Sequence, residues 1–289
     1  MIPRLPRHMI EDLVNRALNE DLGGRGDITS LITIPINRNG HFVIVSRASG
    51  VLAGQQPVNA CFDLVDRDIV ATWCKSDGDT VKTGDVIALV NGPVSAILTA
   101  ERSALNFLGR MSGIATLTRR YVTAVADTGV TITHTRKTTP GLRAVELQAV
   151  QAGGGAMHRY GLDDAILIKD NHVAVCGSVS AAVGRARSRV GHMTRVAVEV
   201  DRLDQLDEAL SAGAESILLD NFSLEDLRAA VRLTAKRATL EASGGVTLET
   251  VRAIAETGVD VISVGALTHS SPNFDLGLDE GQASRSASR

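Results

Sequence analysis

Aromatic residues are scarce in this chain: 3% of 289 residues, with one Trp, two Tyr and five Phe. With a hydrophobic fraction of 44%, the core must be built mainly from aliphatic side chains. There are three cysteines, Cys61, Cys74 and Cys176, odd in number and far apart. That pattern argues against a disulfide framework and against a zinc site. A basic excess is also missing. The 30 Lys and Arg face 33 Asp and Glu, a formal charge of -3. Without a broad positive field, neither nucleic acid nor an anionic membrane is an expected partner, and any anion must be met by a local cluster. The apolar runs break well short of a membrane-spanning length, and Met1-Ile2-Pro3-Arg4 lacks the apolar stretch of a secretory leader. A soluble, cytoplasmic protein of one large domain or two is expected.

Residues 9–20 space their apolar positions as an amphipathic helix, and a Gly-rich acidic loop, 21–27, follows. From about 40 to 98 the pattern reads as strand: 41–46, 50–54, 69–73, then 77–87 and 94–98. The run Gly78-Asp79-Thr80-Val81-Lys82-Thr83-Gly84-Asp85 resembles the small β-sandwich of biotinyl and lipoyl carriers. Lys82 is not set at a hairpin tip as a carrier lysine would be, so this likeness speaks for fold alone. Residues 100–126 form one long helix or two short ones.

From residue 130 onward strand, loop and helix alternate every twenty to thirty residues, the rhythm of βα units. Six strands are countable, at 130–134, 165–168, 195–200, 215–219, 239–241 and 259–264, with helices near 143–152, 178–189, 203–212, 223–236 and 247–257. They predict a parallel barrel or an open sheet, and a full eight strands are not visible. The tail ending at Gly281–Arg289 is of low complexity and is expected to be disordered at its end.

In parallel α/β folds, working residues stand at the C-terminal ends of the strands. The first such end carries Arg136-Lys137. The second is preceded by His158-Arg159 and closes on Lys169. The third gives Glu199 and Asp201, the fourth Asp220-Asn221, the fifth Glu241 and Ser243-Gly244-Gly245, and the sixth Gly265-Ala266. Cations, carboxylates and glycines are thus sorted by strand. Converging guanidinium and ammonium groups suit a ligand with several negative charges. Glu199 and Asp220 are suited to Mg²⁺, which accepts one or two carboxylates beside water and phosphate. The glycines let backbone N–H groups approach a phosphate at helix N-termini. The predicted site takes a polycarboxylate beside a magnesium-bound, phosphorylated partner.

Taken in order, the motifs Thr135-Arg136-Lys137-Thr138-Thr139-Pro140-Gly141-Leu142-Arg143, Gly153-Gly154-Gly155, His158-Arg159, Ile168-Lys169-Asp170-Asn171-His172, Leu219-Asp220-Asn221 and Val264-Gly265-Ala266-Leu267-Thr268-His269 resemble those of the quinolinate phosphoribosyltransferases. Glu101-Arg102 and Ser112-Gly113-Ile114-Ala115-Thr116 extend the likeness, which runs from about residue 9 to 278. The resemblance implies an N-terminal α/β sandwich domain, 1–112, to which about 271–289 return, and an incomplete parallel α/β barrel of six to seven strands, 113–270. It implies Mg²⁺-dependent transfer of phosphoribosyl from phosphoribosyl pyrophosphate (PRPP) to quinolinate with loss of CO₂, in a homodimer whose Arg102 reaches the partner's site.

By the same resemblance, Arg102, Thr135, Arg136, Lys137, His158, Arg159 and Lys169 bind quinolinate, with Lys137 between substrate and pyrophosphate. Glu199 and Asp220 engage Mg²⁺ and the ribose and, with Lys137, are the catalytic set. Ser243, Gly244, Gly245, Gly265 and Ala266 take the 5′-phosphate. Two positions depart from the family pattern: His134 stands where an acidic or small residue is usual, and Leu147 where relatives often carry lysine. Three other readings stay open on sequence: a nicotinate phosphoribosyltransferase, a Schiff-base aldolase with Lys169 as nucleophile, and a non-catalytic binding protein.

Overall fold

The structure, a computed structural model, describes residues 2–281. In chain order the first five strands are β1 (Asn39–Ser46), β2 (Gly50–Val51), β3 (Val70–Trp73), β4 (Thr80–Val81) and β5 (Val86–Pro93). Then come β6 (Thr131–Thr133), β7 (Ile166–Ile168), β8 (Val196–Val200) and β9 (Ser216–Asp220). The last three are β10 (Thr239–Ser243), β11 (Val261–Ser263) and β12 (Leu276–Glu280). The chain divides into two compact units. One holds the residues up to Leu117, Thr139–Gly154 and those from Ser271 on; the other holds Thr118–Thr138 and Gly155–Ser270.

The first unit is built on an antiparallel sheet of order β12-β1-β5-β3, with β2 and β4 paired separately. β1 lies between two partners, Ile44 facing Leu278 on β12 and Ala88 on β5. The helix Arg7–Leu22 buries Ile10, Leu13, Val14 and Leu18, a stripe spaced by three and four residues, against the helix Gln55–Val65. This second helix lies between the runs expected as strands at 50–54 and 69–73, where no element was assigned. The carrier-like run ends in a turn where the Asp85 N–H donates to the Lys82 carbonyl and the Asp85 carboxylate accepts the Lys82 N–H. β4 pairs with β2 while β5 pairs with β1 and β3, so Lys82, though exposed, stands at no hairpin tip.

The helix Val94–Ala124 is continuous over 31 residues. Residues 94–98, expected as strand, are its first turns. Its two internal glycines do not break it, because they make room for another segment. A Cβ on Gly113 would lie 2.0 Å from the Pro272 carbonyl oxygen, and one on Gly109 would lie 2.9 Å from Asn273.

The second unit is a parallel sheet of order β6-β11-β10-β9-β8-β7. All six strands sought in the sequence are present, with β6 and β7 as its edges. Every strand contributes at least one residue (among them Thr133, Ile166, Ala197, Leu218, Glu241 and Val261) to the lining of a common cavity of about 430 Å³. The sheet is therefore wrapped around an interior: a barrel of six strands, left incomplete. Of the helices expected near 143–152, 178–189, 203–212, 223–236 and 247–257, all are found, at Arg143–Ala152, Val179–Arg187, Leu203–Ser211, Leu224–Thr234 and Val251–Ala255; those at Asp170–Cys176 and Ala266–His269 were not foreseen.

All three cysteines are free, and no helix among the described residues is long and apolar enough to cross a membrane. The disorder expected at the end of the tail concerns residues 282–289, which lie outside the described residues.

Candidate active site

Strand periodicity aims the key side chains. Successive residues of a strand face opposite ways, so residues two apart share a face. Ala197, Leu218, Glu241 and Val261 line the interior, so Glu199, Asp220, Ser243 and Ser263 face the same way, two residues nearer the C-terminal rim. Because the six strands are parallel, that rim also receives Arg136-Lys137 after β6, Lys169 after β7 and Gly265 after β11.

Lys169 Nζ lies 2.5 Å from Glu199 Oε2. Glu199 and Asp220 border a cavity of about 260 Å³ together with Asp170 and Asp201. Deeper in the barrel, His158 Nε2 lies 3.2 Å from Glu241 Oε2. Arg159 donates from Nη1 to the Ala165 carbonyl at 3.2 Å. Burial, and then the Arg136 cation beside it, pull the Arg159 guanidinium below its ordinary value. Arg136 Nε is itself buried with no hydrogen-bond partner among the described residues. Two cations crowded into a half-buried place are a standing attraction for an anion.

The loop after β6 is folded upon itself. Thr135 Oγ1 accepts the Lys137 N–H at 3.1 Å, and the Lys137 carbonyl accepts from Thr268 Oγ1 at 2.8 Å. Gly265 is close to that loop, since a Cβ there would meet Lys137 Cδ at 3.1 Å. At the end of β10, Gly244 and Gly245 take successive positive φ values of 95° and 58°. A Cβ on Gly244 would stand 2.1 Å from Asn221 Oδ1, so only glycine passes there. Asn221, itself at φ 57°, donates from Nδ2 to Asp220 Oδ2 at 2.9 Å and from its backbone to the Ser243 carbonyl at 2.9 Å. This bridge between the carboxylate strand and the glycine strand escaped the sequence reading, where Asn221 was only the neighbour of Asp220.

Of the residues singled out from sequence, Thr135, Arg136, Lys137, His158, Arg159, Lys169, Glu199, Asp220, Ser243, Gly244, Gly245, Gly265 and Ala266 all belong to the barrel unit. Arg102 belongs to the other unit, exposed on the helix Val94–Ala124. Glu241 was noted without a role, and it is only 7% exposed in mid-strand. The two departures have physical settings. Leu147 is 2% exposed in the helix Arg143–Ala152, where a lysine ammonium would be buried. His134 is wholly buried and uses both ring nitrogens, Nδ1 toward the Thr135 carbonyl and Nε2 toward the His158 N–H, each at 3.1 Å.

Comparison with known proteins agrees along the chain. Residues 27–112 match the family model for the N-terminal domain of quinolinate phosphoribosyl transferase, and residues 114–279 match that for its C-terminal domain. The chain is 44% identical over 270 residues to a probable nicotinate-nucleotide pyrophosphorylase [carboxylating] of Bacillus subtilis, covering 93% of each chain. It is 43% identical over 273 residues to the corresponding enzyme of Mycobacterium leprae, covering 93% of this chain and 96% of that one. The solved nicotinate-nucleotide pyrophosphorylase of Francisella tularensis superposes with a TM-score of 0.92 at 39% identity, over 96% of this chain and 98% of the other.

Proposed function

The chain belongs to the quinolinate phosphoribosyltransferase family, and on that premise we propose that it transfers phosphoribosyl from PRPP to quinolinate with decarboxylation, giving nicotinate mononucleotide, pyrophosphate and CO₂ in NAD biosynthesis. The observation that carries this reading is the pairing of Arg136 and Arg159. Both are cations, close enough for one to lower the other, and Arg136 Nε is buried without a partner among the described residues.

Arg136, His158, Arg159 and Lys169 take the two carboxylates of quinolinate, with Thr135 beside them. Arg102 is lent to this site by a second copy of the chain in a homodimer. Ser243, Gly244, Gly245, Gly265 and Ala266 receive the 5′-phosphate of PRPP, where positive φ at Gly244 and Gly245 bares the backbone N–H groups. Lys137 sits between the acceptor ring and the pyrophosphate.

As pyrophosphate leaves, positive charge grows on the ribose and negative charge on the leaving group. Glu199 and Asp220 stabilise the first, and Lys137 neutralises the second. Lys169 holds Glu199 in place until substrate arrives. Once the ring nitrogen bears ribose it is cationic, and the carbanion left by CO₂ is stabilised next to it, so no separate decarboxylation cofactor is required.

The described residues contain no group of three or more His, Cys, Asp or Glu able to hold a metal. Two carboxylates, Glu199 and Asp220, fit a Mg²⁺ that takes its remaining ligands from phosphate and water. When bound, Mg²⁺ supplies charge neutralisation at the pyrophosphate. The enzyme is proposed to be cytoplasmic.

The deciding experiment mixes pure protein with quinolinate, PRPP and Mg²⁺ and assays nicotinate mononucleotide and CO₂. Turnover of nicotinate with PRPP, and none of quinolinate, would overturn the reading.

A further inference from the structure

His158 is gripped from two sides by residues that have no task in the proposed reaction. Its backbone N–H donates to His134 Nε2 at 3.1 Å, and its ring Nε2 lies 3.2 Å from Glu241 Oε2. The two rings meet edge to face, with centroids 6.3 Å apart at 70°. A carbonyl oxygen only accepts and a backbone N–H only donates. His134, between the Thr135 carbonyl and the His158 N–H, therefore carries its proton on Nδ1 and its lone pair on Nε2. It is a fixed acceptor for the backbone of His158.

Glu241 places a carboxylate in the barrel interior. Barrel strands fill that space mostly with branched aliphatic residues, and a carboxylate buried there is costly unless it is paired. Its Oε2 meets His158. Its Oε1 is buried with no partner among the described residues, and so is His158 Nδ1.

We propose that Glu241 and His134 are positioning residues for His158. His134 anchors the backbone, Glu241 accepts from Nε2–H, and Nδ1 is left as the ring atom that meets a substrate carboxylate. The proposal rests on the assignment of His158 to quinolinate. When that carboxylate arrives, the imidazole stands between two anions. It takes one proton from solvent and then donates from Nε2 to Glu241 and from Nδ1 to substrate. His158 thereby joins Arg136, Arg159 and Lys169 as a cation of fixed direction. Without the Glu241 charge, the neutral ring turns a lone pair toward the anion it should hold.

The test uses full-length protein carrying ¹⁵N-labelled histidine, with the His158 signals assigned by their loss in His158→Asn. In free wild-type protein the Nε2 signal is expected to be that of a protonated nitrogen, and with quinolinate both ring nitrogens are expected to be protonated. In Glu241→Gln the second protonation is lost. The KM for quinolinate rises about 10- to 100-fold, the value of one charged hydrogen bond. Both kcat and the KM for PRPP change less than about threefold, the signature of lost ground-state binding.

A free-protein ring with its proton on Nδ1 and a bare Nε2 would overturn the proposal. So would a folded Glu241→Gln variant with an unchanged quinolinate KM, or one whose PRPP KM rises equally. If wild-type protein fails to turn over quinolinate, the functional reading falls. The tautomer measurement needs no substrate, and it decides the clamp separately, even if Glu241→Gln does not fold.

Discussion

Glu146, with none of its side chain exposed, receives Arg110 Nη2 at 2.7 Å and Nε at 3.1 Å on one carboxylate oxygen. The same carboxylate takes the Thr139 hydroxyl at 2.8 Å and the Thr139 N–H at 3.0 Å. Both oxygens of a buried anion are thus answered, and Thr139-Pro140, where the chain leaves the Arg136-Lys137 stretch, is tied to the helix Arg143–Ala152. Removing Arg110 strands that charge, and breaking a buried pair from one side costs ~3–5 kcal/mol. Arg110→Ala is therefore expected to lose about that much in urea-induced unfolding, and Arg110→Met no less. A loss under about 1 kcal/mol, the level of an exposed pair, would mean that the pair does not hold the fold.

Arg136→Ala and Arg159→Ala should separate the two substrates. Each is expected to raise the dissociation constant for quinolinate at least about tenfold, as when one charged hydrogen bond is lost. PRPP binding should largely persist, because the groups proposed for it sit on other strands. Equilibrium dialysis with each labelled substrate measures both. Normal quinolinate binding by both variants would refute the assignment of these cations.

Gly244→Ala meets two obstacles, a φ of 95° and a contact at 2.1 Å with Asn221 Oδ1. A strained backbone of this kind costs ~1–3 kcal/mol. The expected result is a lower melting temperature with a raised KM for PRPP and an unchanged affinity for quinolinate. A raised quinolinate constant with normal PRPP kinetics would place the glycine turn beside the wrong ligand.

Asp77 gives a pH-dependent prediction in the first unit. Burial pushes its carboxyl above the ordinary range, more than the Gly54 and Gln55 N–H groups, which it accepts at 2.9 and 3.2 Å, pull it down. A carboxyl whose folded-state pKa is raised binds protons more tightly in the folded than in the unfolded chain. Its burden on stability is absent below the unfolded value and grows as pH rises through the folded one. Asp77→Asn keeps an acceptor oxygen and removes the charge. It is expected to gain stability relative to wild type at pH 7–8 but not at pH 3, read from denaturation midpoints. An equal gain at both pH values would show that the charge is not the cause.

Much of the barrel was legible because two signals coincide in it. β-Branched runs such as Thr131-Ile132-Thr133 mark strands, and parallel order puts whatever follows each strand on one rim. Thus Arg136, Lys169, Glu199, Asp220, Ser243 and Gly265 could be collected from sequence before any coordinate. What stayed hidden depends on partners distant in the chain. Val94–Leu98 has strand composition, yet it begins a helix whose apolar face is buried, so tertiary packing overrides local preference. Asp170–Cys176 opens with polar residues that suit a loop, but His172 Nδ1 accepts the Lys169 N–H at 3.0 Å and starts a short helix. His134 looked like an anomaly in a motif. Only its neighbours show that both ring nitrogens are engaged.

The antiparallel sheet of the first unit has a further consequence for how the protein is made. β1 is finished on one side only by β12, and Gly109 and Gly113 await Pro272-Asn273, all supplied after the entire barrel. On the ribosome, this early-synthesised layer must wait with a bare strand edge while later residues emerge, and such an edge invites pairing with other nascent chains. Crowding of polysomes, or a stop codon just beyond the barrel, would therefore strike first at the oldest part of the polypeptide.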